Sequence, residues 1–280
     1  MNRILAPLDG SPAAEIGLHW AQHAARCCRA SVDLLAVIDP ELADGDGHIA
    51  RAKEYLRARR DDMAAHGLTV DCEVATGQPP ECILDRAAAA ELTVMTYGTK
   101  HWLFGGALDF MLGNMTRPLV VIRATSSQAR PAFDTLKVLV PLDTTPYSTH
   151  ALPEAQRLAK AMGASIVLCH VIDPVGPYLD TANAPPGVAR IIEDLMDKAR
   201  SFMADVAVKV ERGGATVETV VAMGEAPQQI IRIAEQSQAG LIAMATRGTQ
   251  NLSRLMGSVA YGVLQFGRVP ALLVRPNGAS

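Results

Sequence analysis

Aromatic residues make up only 4% of the 280-residue chain, too few for the stacking platforms on which single-stranded nucleic acids are held. No excess charge of either sign is present: 26 Lys plus Arg stand against 29 Asp plus Glu, a formal net charge of −3. Affinity resting on a strong positive field, as for a nucleic-acid backbone, is therefore not expected. Cysteine is scarce and odd in number. The five (Cys27, Cys28, Cys72, Cys82 and Cys169) contain no C-x-x-C pair, which argues against a disulfide scaffold and a cysteine zinc site and fits a reducing compartment. Long apolar runs of about 18 residues are missing, so no membrane span is expected. Met1-Asn2-Arg3 leads straight into a short apolar run that does not read as a signal peptide, and a soluble cytoplasmic protein is the default expectation. The chain also lacks G-x-x-x-x-G-K-[ST] and G-x-S-x-G, hence the phosphate-loop lysine and the nucleophile elbow.

What is present is a core-forming composition, 49% hydrophobic and 20% charged, and a length suited to two domains. The chain repeats itself. ILAPLD at 4–9 matches VLVPLD at 138–143, and LLAVIDP at 34–40 matches LCHVIDP at 168–174. TGQPPECIL (76–84) matches MGEAPQQII (223–231), TYGT (96–99) matches TRGT (246–249), and RPLVVIR (117–123) matches VPALLVR (269–275). The offset grows from 134 residues at the first match to 152 at the last, so the second copy has a longer middle. We read 1–124 and 135–280 as the two domains and the small, polar, proline-containing stretch 125–134 as their linker.

Each copy alternates short apolar runs with helical patterns. The first predicts strands at 4–8, 32–37, 68–75, 92–96 and 118–122, with helices at 11–29, within 47–66, at 79–90 and at 106–115. Ser11 reads as an N-cap and Pro12 as the first helical residue. The second predicts strands near 137–142, 165–171, 215–222, 241–245 and 271–274, helix 146–162, and a long helix at about 186–212. Continuously apolar strands alternating with helices imply an α/β fold: two doubly wound, five-stranded, parallel-sheet domains, Rossmann-like. The final strands, 119–122 and 271–274, are expected to pair and form an intramolecular pseudo-dimer, which would protect both edges.

In such a sheet a ligand sits at the C-terminal strand ends. The second copy gathers suitable residues there. Val140-Pro141-Leu142-Asp143 ends its first strand, and Val171 ends the second and can offer backbone groups to a flat base. Ala245-Thr246-Arg247-Gly248 follows the fourth strand, and Gly257-Ser258-Val259 stands at a helix start. Small residues let backbone N–H groups approach an anion, the helix N-terminus and the Ser258 hydroxyl suit phosphate, and Arg247 adds a cation. Together they describe a nucleotide pocket.

These motifs, in this order over nearly the whole chain, resemble a tandem universal stress protein, whose domains are related to the adenine nucleotide alpha hydrolases. The resemblance implies ATP, with or without Mg, as the ligand, and a role in resisting stress. It also implies nucleoside contacts at Pro141, Asp143 and Val171, with Met244 lining the pocket. ATP-binding members carry Gly-x2-Gly-x9-Gly-Ser/Thr after the fourth strand, which places Ala245 at the first glycine, Gly248 at the second and Gly257-Ser258 at the last pair. This chain departs from the pattern: Ala245 replaces a glycine, and eight residues, not nine, separate Gly248 from Gly257. In the first copy Gly98 is followed by only six residues before Gly105-Gly106, with Trp102, Leu103 and Phe104 crowding the loop and no serine after it. Pro7, Asp9 and Val37 persist, so a weaker first site is expected.

Two alternatives stay open: an interaction module without nucleotide, and a slow ATP hydrolase, since no group is evidently placed to activate water. A homodimer and an unidentified protein partner are further expectations. Asp143 and Asp9 also suit capping of the helices that follow them. Glu15, His19 and His23 share a helix face, but no fourth ligand is evident, so solvated or packed histidines are expected in place of a metal. Cys27 and Cys28 read as inert thiols.

Overall fold

The computed structural model describes residues 1–40, 46–98, 106–124, 137–173, 186–246 and 257–276. The chain divides into two compact units, one built on 1–131 with 246–256 and 272–280, the other on 132–245 with 257–271.

In the first unit the elements run β1 (Arg3–Pro7), α1 (Pro12–Cys28), β2 (Ser31–Ile38), α2 (Asp46–Ala65), β3 (Val70–Thr76), α3 (Pro79–Ala89), β4 (Leu92–Gly98), α4 (Ala107–Asn114) and β5 (Leu119–Ala124). Their strands lie in the order β3-β2-β1-β4-β5, with parallel pairing throughout. The terminal strand β10 (Ala271–Val274) contributes Leu272–Val274 to this unit, where they neighbour β5, as the need to protect a strand edge leads one to expect. Arg275, just beyond, donates from Nη1 to the Gly113 carbonyl at 3.0 Å, near the end of α4. In the second unit β6 (Lys137–Pro141), α5 (Leu152–Met162), β7 (Ser165–Ile172), α6 (Pro186–Arg212), β8 (Val217–Met223), α7 (Ala226–Gln236), β9 (Ala239–Ala245) and α8 (Gly257–Phe266) follow. Here the order is β9-β6-β7-β8, again parallel. No helix among the described residues is long and apolar enough to cross a membrane.

Strand composition explains the layering. Ile4, Leu5 and Ala6 are consecutive, and so are Val138, Leu139 and Val140, yet all six are buried. Successive strand side chains point to opposite faces, so both faces of each sheet are covered. In the first unit α1 packs on β1 and β4, α2 on β2 and β3; in the second α5 packs on β6 and β7, α6 on β7 and β8. Each fully buried aliphatic side chain contributes about 1.5–3 kcal/mol, and this skeleton holds the strand ends in place.

Local signals place the helices. Ser11 Oγ accepts the Ala14 N–H at 3.2 Å, and Pro12 opens α1, as the sequence indicates. The expected helix 146–162 needs a correction: a 3-10 turn covers Ser148–Ala151 and the α-helix starts only at Leu152. Pro153 is the reason. Inside a longer α-helix it would lack the N–H for the ladder and its ring would clash with the carbonyl four residues earlier, whereas the first helical turn tolerates it.

The two copies end their first helices alike but with different residues. Arg29 closes α1 in the left-handed region at φ 53°, its N–H reaching the Ala25 carbonyl. Gly163 closes α5 at φ 65°, its N–H reaching the Ala159 carbonyl. A Cβ makes this region costly for an L residue by about 1–2 kcal/mol. Arg29→Gly is therefore expected to stabilise the protein and Gly163→Ala to destabilise it, each by about 1 kcal/mol, read as opposite shifts in urea midpoint. Shifts of the same sign would contradict this account.

Candidate functional site

The order β9-β6-β7-β8 puts a switch in strand direction of travel between β6 and β9, and β3-β2-β1-β4-β5 puts one between β1 and β4. Crevices form at such points, at the C-terminal strand ends. Here the pairing itself opens. β6 pairs with β9 only to Leu139↔Ile242, although β6 continues to Pro141 and β9 to Ala245. β1 pairs with β4 only to Leu5↔Thr93, although β4 continues to Gly98.

Proline explains where the strands part. Backbone N–H groups alternate sides along a strand. The Leu142 N–H points toward β7, donating to the Cys169 carbonyl at 2.7 Å, so the amide position of Pro141 faces β9. Proline has no hydrogen to give there. Pro7 repeats the device, since the Leu8 N–H donates to the Leu35 carbonyl at 2.8 Å. On the other flank the sheets run on: Val171 pairs with Ala222 and Val37 with Ala75, both beyond the last β6–β7 and β1–β2 partners, Pro141↔Cys169 and Pro7↔Leu35. The edges of Val171 and Val37 that face away from these partners thus lie past the ends of β6 and β1, at the crevice.

The carboxylates at the crevice are held by their own turns. Asp143 Oδ1 accepts the Thr145 N–H at 2.9 Å and also the Thr145 hydroxyl, and Ser148 Oγ donates to the Asp143 carbonyl at 2.9 Å. Asp9 Oδ1 accepts the Ser11 N–H at 2.9 Å. Both remain exposed while oriented. They brace the entry to the next helix from outside and do not cap it; Ser11 caps α1.

Among the remaining second-copy candidates, Leu142 and Met244 are buried, Ala245 ends β9 half-buried, and α8 begins with half-buried Gly257, exposed Ser258 and half-buried Val259. Gly257 has φ +73°, and a Cβ there would meet nothing within 4 Å. Glycine at this position is thus a matter of backbone conformation and not of space. It sets the turn by which the chain enters α8, whose N-terminus carries a positive partial charge. Ala245 is not in the left-handed region, so alanine is accommodated where the family pattern has glycine. In the first copy Gly106 has φ −169°, extended backbone that any residue adopts, and Gly98 continues β4 beside Ala124. Arg247, Gly248, Gly105, the crowding residues 102–104 and the linker 125–134 lie outside the described residues.

The first copy also carries a polar knot near its mouth. Tyr55 of α2 donates to Glu15 Oε1 at 3.2 Å, and Arg59 lies 3.6 Å from Glu15 Oε2. Burial, reinforced by the Glu15 carboxylate, pushes the Tyr55 phenol up to about 12. Glu15 is thereby engaged with α2, and His23 Nε2 sits 3.5 Å from Cys27 Sγ on the same helix face. Burial raises the Cys27 thiol more than Arg26 lowers it, and burial alone pushes Cys169 up to about 12. Neither is an activated nucleophile.

Two residues within the quoted motifs carry structural contacts to which the sequence assigns no role. His170, inside the repeated L-C-H-V-I-D-P, is buried and its Nδ1 lies 2.7 Å from the Leu142 carbonyl. Thr246 is fully buried and its N–H reaches the Val274 carbonyl at 2.9 Å.

A profile of the universal stress protein family matches the chain twice, over residues 1–123 and 135–275. A universal stress protein of Mycolicibacterium smegmatis is 23% identical, the match covering 98% of this chain and 97% of that protein. One of Bacillus subtilis is 29% identical, over 50% of this chain and 98% of its own length. The crystal structure of a universal stress protein from Archaeoglobus fulgidus has the same fold, with a TM-score of 0.71 at 19% identity, covering 100% of this chain and 98% of that one.

The contrast between the helix-start glycines gives a stability test. Gly257→Ala forces a Cβ into the left-handed region and is expected to cost about 1–2 kcal/mol. Gly106→Ala is expected to be neutral within about 0.5 kcal/mol. Equal urea midpoints for the two variants would remove the conformational argument for Gly257.

Proposed function

The chain belongs to the universal stress protein family, and we propose that its second copy, within the domain 135–280, binds an adenine nucleotide as a stress-response sensor and not as a fast enzyme. The observations that carry this reading are the parting of β6 from β9 and the left-handed glycine that starts α8, the helix following β9 in the chain. A crevice of that kind offers a flat slot between strand ends for a base and free amides for phosphates. Pro141, Leu142, Asp143 and Val171 form the nucleoside end. Met244 and Ala245 form the floor, and Gly257, Ser258 and Val259 the phosphate end, with Arg247 and Gly248 completing the loop by their place in sequence. ATP, with or without Mg, is the proposed ligand.

The first copy, within 1–124, would bind more weakly through Pro7, Asp9, Val37, Gly98, Gly105 and Gly106. Gly106 is extended there, Glu15 and Tyr55 bond across α1 and α2, and the sequence between Gly98 and Gly105 is short. A nucleotide-free interaction module is the second reading. It is favoured by Ile191 and Leu195, one turn apart on α6 and 59% and 45% exposed.

Mass spectrometry of ligand released from purified protein separates the two: ATP favours the first reading, an empty protein the second, and ADP accumulating with time would indicate slow hydrolysis. In calorimetry with ATP, Asp143→Ala should weaken binding about tenfold, the loss of about 1.4 kcal/mol. Asp9→Ala should leave the dominant binding phase unchanged. A dominant phase that responds to Asp9→Ala and not to Asp143→Ala would reverse the assignment of the copies.

A further inference from the structure

The corner after β6 is fixed at more points than the corner after β1. In both copies the residue after the proline donates its N–H to the neighbouring strand: Leu142 to Cys169, Leu8 to Leu35. In both, the aspartate accepts an N–H two residues on. Among the bonds the second copy adds, two reach successive carbonyls. His170 Nδ1 lies 2.7 Å from the Leu142 carbonyl, and Ser148 Oγ donates to the Asp143 carbonyl at 2.9 Å. At the constant offset of 134 residues the first copy has Ala36 and Ala14 in these places, neither able to donate from a side chain.

A carbonyl only accepts, so the proton of the first of these bonds sits on His170 Nδ1. The ring is buried, with 9% of the residue exposed, in a sheet whose other buried side chains are almost all apolar. A buried polar side chain is costly unless bonded, and this one spends its bond on the peptide joining Leu142 to Asp143. The Leu142 carbonyl lies on the β7 side, like the N–H of the same residue, just past Pro141↔Cys169, the last β6–β7 pair.

Resting on the nucleotide reading above, we propose that His170 is a positioning residue for the nucleoside end of the second site. It clamps the Leu142 carbonyl, fixes the turn that presents Asp143, and stands next to Val171 in the strand. It touches no ligand itself. Ala36 removes the same clamp from the first copy and contributes to that copy's weaker binding.

The test measures ATP and adenosine binding by calorimetry on the full chain, with hydrogen exchange of residues 142–148. His170→Leu is expected to weaken both ligands by the same factor, about tenfold as for one lost buried hydrogen bond, and to speed exchange at the corner without ligand. His170→Asn, whose amide N–H falls near the Nδ1 position, should restore binding to within about threefold of wild type, given the looser fit of a smaller side chain. His170→Gln, whose donor falls further out, should not. Equal behaviour of the Asn and Gln variants, or a loss seen with ATP and not with adenosine, would overturn the positioning role. Should wild type bind neither ligand, the nucleotide reading itself fails, an outcome distinct from wild-type binding that His170→Leu leaves unchanged.

Discussion

A single missing hydrogen governs the architecture of the candidate site. Pro141 stands at the end of a central strand, with its amide position on the β9 side. A central strand normally satisfies its backbone on both flanks, and a residue without an N–H ends the ladder on one of them. The β6–β9 ladder accordingly stops at Leu139↔Ile242 while β6–β7 continues to Pro141↔Cys169. The same asymmetry around Pro7 in the first copy makes this a property of the repeated unit. Past Pro141 stand the exposed turn carrying Asp143 and the flank of Val171 left bare of β6.

The crevice alone does not select a ligand. Selection comes from what surrounds it, and the copies differ there. Gly257 is left-handed at the start of α8, whereas Gly106 is extended at the start of α4. Helix N-termini are positive in both, but a left-handed residue changes which way the first free amides point. The corner after the first strand differs too, with His170 and Ser148 bonded to two successive carbonyls where the first copy has alanines. Near the first crevice Tyr55 and Arg59 hold Glu15, a bridge between α1 and α2.

Most of the fold was legible because its determinants are local or periodic. Ile4–Ala6 and Val138–Val140 announce strands buried on both faces, and Ser11-Pro12 announces a helix start; each appears where expected. The 3-10 turn at Ser148–Ala151 was not legible from periodicity, because Tyr147, Ala151 and Leu152 continue an apolar pattern that Pro153 interrupts only sterically. The candidate site was legible as residue types at strand ends, Asp143 and Gly257 among them. The left-handed φ of Gly257 was not, since glycine is compatible with either sign. His170 was hidden for a different reason: its value lies in a bond to a carbonyl 28 positions away, and carbonyls carry no sequence signal.

The division between skeleton and mouth explains how one chain can carry two unequal copies. Residues that hold the sheets, such as Leu5, Leu34, Leu139 and Ile166, are fully buried or nearly so, and truncating any of them costs about 2–5 kcal/mol. Asp9, Asp143 and Ser258 are exposed, and surface changes of that kind shift stability by about 0.5 kcal/mol or less. A copy can therefore lose its mouth and keep its fold. Proline at the strand end belongs to the fold, because it ends the central ladder in both copies. The opening thus persists in the first copy whether or not anything binds it, and what sets the second copy apart is the added bonding at Leu142 and Asp143.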